Sequence, residues 1–337
     1  MMKKLLLFLA ILGFILIGII GFAYYKINDS LFLQDYGLVV NKHTTPEDIF
    51  TELKNKDIIN SKLLPTYLAR AKQVNQFKEG FYYFPKGTST NAFINTLRAG
   101  RQSPVKLTFN NTRTLFEFAG KISRQIKPDS LELLNHLTND SVANSYGFDK
   151  NNFIGMFLPN TYEMYYTATP KEFTDRMNKE YLRFWNTQRK KKAEELGYTQ
   201  KQISIVASIV DEETNKSDEK SRIAGVYLNR LERNIPLQAD PTLKFAVGDF
   251  TIKRLLNKHM EVDSPYNTYK YSGLPPGPIR QPSISAIDAV LNAENHNYIY
   301  FCAKADFSGY HVFSKTLSEH NRNARAYHRA LNKRGIR

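Results

Sequence analysis

The sequence predicts an α+β protein: an N-terminal transmembrane helix, a small βα module and a larger mixed α/β domain. Three observations carry this. Residues 5–25 hold no charge, three later segments share a strand-turn-helix grammar, and the second half alternates helical periodicity with rigid loops. A chain of 337 residues is long enough for two ordinary domains. Its 42% apolar, 13% aromatic and 23% charged content can bury enough surface to offset chain entropy, which excludes disorder.

The first element is the uncharged run LLLFLAILGFILIGIIGFAYY. As a helix, its 21 residues reach roughly 30 Å, the thickness of a bilayer core. A cleavable signal peptide is the competing reading, because Gly21-Phe22-Ala23 is a small-x-small triplet. Its apolar region would normally be only about 7–15 residues, so an uncleaved anchor is favoured. Lys3 and Lys4 precede the span, and Lys26 is followed by Asp29 and Asp35. The positive-inside rule then leaves residues 1–4 in the cytoplasm, makes 5–25 a single pass through the cytoplasmic (inner) membrane, and puts the rest on its outer side.

The next three elements occupy residues 39–53 (VVNKHTTPEDIFTEL), 83–97 (YFPKGTSTNAFINTL) and 108–122 (TFNNTRTLFEFAGKI). In each, a β-branched or aromatic run gives way to a polar turn and an amphipathic helix. Thr45 can cap the first helix, Pro46 suits its first position, and Glu47 and Asp48 favour the positive end of its dipole. Residues 130–146 read as helical. Pro170 opens a long helix with Phe173, Met177, Tyr181 and Phe184 on one face and Arg189–Lys192 at its polar end.

Thr199 and Gln202 form a capping-box signal, so a further helix begins at Gln200 and runs through KQISIVASIVDEET. Val206, Ile209 and Val210 make its apolar stripe. Glu213 follows Ile209 by four residues and Val210 by three, and therefore faces inward. Asp211 and Glu212 point elsewhere, so Glu213 is the carboxylate of this triplet expected to lose solvent. Desolvation raises a carboxyl pKa, the condition for a general acid at neutral pH. Ser217 can cap a second helix with Ile223, Val226, Tyr227 and Leu231 on its core face. Beyond it, NIPLQADPT, SPYNTY (264–269) and GLPPGPI (273–279) are loop segments suited to lining a cleft. Tyr266 and Tyr269 offer apolar faces with hydroxyl tips, while Gln238, Asp240, Asn267 and Thr268 offer donors and acceptors suited to sugars.

Other chemistry finds no support in the sequence. The seven histidines never form HExxH or a short metal-ligand pair, there is no GxSxG, and a Schiff-base lysine has no motif. Cys302 is the one cysteine, which rules out an internal disulfide; it lies in the strand-like run YIYFCA and reads as a buried structural thiol. We therefore expect no metal and no cofactor. The net charge of +15, from 47 Lys+Arg against 32 Asp+Glu, suggests a polyanionic partner. Nucleic acid is disfavoured, because the bulk of the chain is exported and has no nucleotide-binding motif.

Taken together, ASIVDEET, GVYLNRL, LQADPT, SPYNTY and GLPPGPI resemble the endolytic murein transglycosylases, the YceG-like or MltG family. The N-terminal anchor, FLPNTYE and EGFYYFPKGTS extend the likeness, which covers roughly residues 37–333 in collinear order. The last of these segments looks like that family's small LysM-like module. The resemblance implies a LysM-like module at 36–104 and a YceG-like catalytic domain at 105–337. It places the catalytic acid on Glu213 and adds Asn229, in GVYLNRL, to the candidate substrate-binding set of Gln238, Asp240, Tyr266, Asn267, Thr268 and Tyr269. It also implies cleavage of nascent peptidoglycan by an acid acting alone, with peptidoglycan strands, the lipid bilayer, glycan polymerases and divisome or elongation proteins as partners. The chain departs from the family pattern at Glu212, where a basic residue is usual, and at Ile154 and Asn160, where acidic residues are usual. The rival reading is a non-catalytic peptidoglycan-binding scaffold in which Glu213 is structural.

Overall fold

The computed structural model describes residues 2–252 and 255–335; Met1, at the expected cytoplasmic end, and the basic terminal residue Arg337 lie outside them. The chain divides into two compact units. One comprises Met1–Leu107, Gln125–Lys127 and Tyr162–Ala168, and the other Thr108–Arg124, Pro128–Thr161 and Thr169–Arg337.

The first unit opens with α1 (Met2–Asn28), which buries none of its residues and is long and apolar enough to cross a membrane. There follow β1 (Tyr36–Val40), α2 (Pro46–Asn55), α3 (Leu63–Ala71), β2 (Gly80–Phe84) and α4 (Thr90–Ala99). The two strands pair antiparallel, with Tyr36 opposite Phe84 and Val40 opposite Gly80. α2 starts as its sequence dictates: the Thr45 hydroxyl accepts from the Asp48 amide, the Asp48 carboxylate accepts from the Thr45 amide, and Pro46 fills the first turn. The core is aromatic, Phe84 meeting Phe32 at 5.1 Å and Phe93 at 4.9 Å. Each such ring, withdrawn from water, contributes about 1.5–3 kcal/mol.

The chain continues through β3 (Val105–Phe109), α5 (Leu115–Ile122), α6 (Ser130–Leu137), α7 (Asp140–Ser145), a 3-10 turn (Phe153–Met156) and β4 (Asn160–Met164), with β3 and β4 paired. Helices α8 (Pro170–Phe184), α9 (Thr187–Glu195), α10 (Gln200–Glu213), α11 (Lys220–Glu232), α12 (Asp240–Val247), α13 (Asn257–Met260) and α14 (Ile284–Leu291) come next. The hairpin β5 (Tyr300–Ala303) and β6 (His311–Ser314) then leads into α15 (Leu317–Lys333). All three strand-turn-helix segments are present.

Three expectations need correction. The long helix expected from Pro170 is two helices, because Trp185, 1% exposed, leaves helical geometry and Asn186 caps a new start by accepting from the Arg189 amide at 3.0 Å. Ser217 does not cap α11. That helix begins at Lys220 after Glu219, whose carboxylate faces away to accept from the His311 amide and pair with its ring at 2.9 Å. Cys302 lies in β5 as expected but is only half-buried.

Candidate active site

Helix α10 is buried along most of its length, from Ile203 to Val210, and packs against α11, α12 and α14. Its last turn carries three consecutive carboxylates with three different fates. Asp211 has a 6% exposed side chain: Lys220 lies 2.6 Å away, and the Ser283 amide and hydroxyl donate to it at the start of α14. Glu212 is gripped by Arg113 at 2.9 Å and Arg280 at 2.7 Å. Glu213 has no cation within ion-pair distance among the described residues and lines a cavity of about 420 Å³.

Glu213 is drawn out of solvent, and so is Asp211. Its charge is compensated on the spot by Lys220, whereas that of Glu213 is not. Among the described residues, the hydrogen-bond partner of Glu213 is the Tyr227 hydroxyl, which donates to Oε1 at 2.6 Å. Burial pushes the Glu213 carboxyl up to about 7. The Tyr227 bond pulls it back down, Asp240 and Glu212 add to the rise, and Lys244 opposes it. Near neutral pH the group can therefore hold a proton and release it.

The cavity is walled by α11 through Tyr227 and Arg230, by the start of α12 through Gln238 and Asp240, by Tyr269, and by Tyr300, Phe301 and His320 from the C-terminal hairpin and helix. Arg230 is 5% exposed. It donates to the carbonyls of Pro236 and Ile299 and to Gln238 Oε1, which ties α11 to both neighbouring segments. The Tyr300 ring is 5.5 Å from the Arg230 guanidinium and stacks with the His320 ring at 5.3 Å. The Tyr269 hydroxyl donates to Asp240.

Of the residues singled out in the sequence, Glu213, Gln238, Asp240 and Tyr269 meet at this cavity. The others do not line it. Asn267 is fully buried, its amide spent on the carbonyls of Met260 and Val262. Thr268, 1% exposed, accepts from the Ala239 amide and bonds Thr242, while its carbonyl accepts from the Gln238 amide. These two hold Gln238 and Tyr269 in place from behind. Tyr266 packs on Phe245 at 4.7 Å, and Asn229 donates to the carbonyls of His296 and Tyr298. The GLPPGPI loop braces α10, with the Ile279 amide donating to Ser208 Oγ at 3.1 Å. Ile154 is buried, Asn160 sits exposed at the start of β4, and neither lines the cavity.

Tyr227, Arg230, Tyr300, Phe301 and His320 escaped the sequence reading as site residues. Tyr227 was visible only as part of a core face, and its spacing of three from Arg230 was the available hint that one side of α11 is polar. The hairpin and α15 carry no motif.

The YceG-like family model matches residues 38–326. An endolytic murein transglycosylase of Bacillus subtilis is 31% identical over 294 residues, covering 82% of this chain and 80% of that protein. One from Streptococcus pneumoniae is 27% identical over 317 residues; the match covers 82% of this chain and 55% of that longer protein. The crystal structure of a YceG-like protein from Listeria monocytogenes aligns with a TM-score of 0.60 at 26% identity, covering 86% of this chain and 98% of that one.

Proposed function

This chain belongs to the YceG-like family, and on that premise we propose that it is a membrane-anchored endolytic lytic transglycosylase of peptidoglycan. It would cut the MurNAc-GlcNAc bond within nascent glycan strands and leave 1,6-anhydro-MurNAc ends. In this reading residues 5–25 anchor the chain in the cytoplasmic membrane with the N-terminus inside, 36–104 form a LysM-like glycan-binding module, and 105–337 form the catalytic domain. Glycan polymerases and divisome or elongation proteins are the partners that such a place beside the synthesis machinery implies.

The observation that carries the proposal is Glu213, one desolvated carboxyl held near neutrality on the wall of a polar cavity. Protonated, it donates to the glycosidic oxygen as the anomeric bond breaks and positive charge develops on the sugar. As carboxylate, it then takes the proton of the muramic acid C6 hydroxyl, whose oxygen closes onto the anomeric carbon. No water enters, and the group ends protonated as it began. Intramolecular attack also replaces a second catalytic carboxylate, since an internal nucleophile can lower the barrier by about 7–11 kcal/mol at best. Gln238, Asp240 and Tyr269 are the groups we assign to sugar recognition.

Asp240 supports a second reading. It shares the cavity with Glu213, and a pair of carboxylates is what a hydrolase would use to activate water. Its engagement by the Tyr269 hydroxyl favours a binding role instead. Mass analysis of the products separates the two: anhydro ends that disappear in Glu213→Gln support transglycosylation, and reducing ends support hydrolysis.

A further inference from the structure

We propose that Tyr227 is a positioning residue that commits Oε1 of Glu213 to a permanent hydrogen bond, so that Oε2 is the oxygen that gives and retakes the proton. The inference rests on Glu213 being the acid of the proposed function and adds a division of labour between its two oxygens.

Tyr227 lies on α11, is 2% exposed, and meets Phe301 edge-on at 6.0 Å. That packing fixes the ring, and the ring fixes the hydroxyl 2.6 Å from Oε1. Burial and the neighbouring Glu213 push the phenol well above its ordinary pKa, so it keeps its proton and has it to donate to Oε1. It donates to Oε1 in both charge states of Glu213. A carboxylic acid whose Oε1 is engaged as acceptor carries its proton on Oε2, the oxygen left for the cavity that Glu213 lines. The same bond stabilises the carboxylate, and so opposes the desolvation that burial imposes.

Few other groups can titrate in place of Glu213. Glu212 on the same helix is neutralised by Arg113 and Arg280. From α11 comes Arg230, and from α12 come Asp240 and Lys244, which act on Glu213 in opposite directions. Tyr269 is shifted upward, while His320 on α15 is shifted downward, by burial and by the charge of Arg230. On α14, packed against α10, Asp288 is paired with Arg189. The basic limb of a pH profile therefore belongs to Glu213.

The test is kcat/KM for glycan cleavage against pH with the full chain in detergent, for the wild type, Tyr227→Phe and Tyr227→fluorotyrosine, with circular dichroism to verify folding. The wild-type rate should fall above about pH 7 as the acid loses its proton. Removing the hydroxyl should move that limb up by about one pH unit and lower the plateau by about tenfold. Fluorotyrosine, a stronger donor, should move the limb the other way. A carboxyl-carbon NMR titration of Glu213 should show the same two shifts without relying on activity. Variants that lose rate with an unmoved limb would reduce Tyr227 to packing and overturn the proposal. Should Tyr227→Phe not fold, an unmoved limb in the fluorotyrosine variant overturns it equally. A Glu213→Gln chain that still cleaves would instead sink the proposed function, a result independent of either Tyr227 variant.

Discussion

Glu213 is costly to the fold as a carboxylate, because burial takes its charge out of water. Its carboxyl titrates at about 7 in the folded chain against an ordinary 4.5. The folded state therefore binds the proton more tightly than the unfolded one, and stability falls as pH rises through that window. Glu213→Gln should leave the melting temperature unchanged at pH 4 and raise stability by about 1–3 kcal/mol at pH 8. Thermal melts at the two pH values check this, and an equal effect at both would mean the site does not desolvate the group. The inward direction of Glu213 was legible because helical periodicity fixes where a side chain points. What periodicity cannot show is compensation. Asp211 is enclosed too, yet Lys220, nine residues on, cancels its charge. The same limit explains Asn229, Asn267 and Thr268: an amide or hydroxyl reads alike in sequence whether it faces a ligand or braces a loop, and only the partner's position decides.

At the scale of elements, the site depends on loops that dock against α10. Gly277 is the tightest point, since a Cβ there would stand 1.9 Å from the Asn151 carbonyl oxygen. Gly277→Ala should destabilise the chain by about 3 kcal/mol and depress cleavage, because the loop that carries Ile279 against Ser208 must shift. Chemical denaturation measures the first effect and product release the second. Glu212 ties together the segments that bear Arg113 and Arg280. The helix starts at Thr45 and Thr199 were readable because a capping box is local. The break after Trp185 and the start of α11 were not. One depends on burying an indole and the other on His311, more than ninety residues away.

For the whole molecule, α1 spans about 40 Å at 1.5 Å per residue, ample for a bilayer. As an uncleaved anchor it should keep the full chain in the membrane fraction through high-salt and alkaline washes, with the remainder accessible to protease added from the outer side. Release by those washes, or a shortened N-terminus, would favour a signal peptide. The mixed α/β class was readable because the long apolar run, the strand-turn-helix units and the amphipathic helices each leave a trace in the sequence. The cavity was half readable: α10 and the loops before and after α12 carry motifs, whereas the wall made by the hairpin and α15 exists only once the chain closes.

The most direct test of the central claim is mass spectrometry of glycan strands incubated with the full chain and with its Glu213→Gln variant. The account predicts internal cleavage with 1,6-anhydro-MurNAc ends from the wild type and none from the variant. Reducing ends, or undiminished cleavage by the variant, would contradict it.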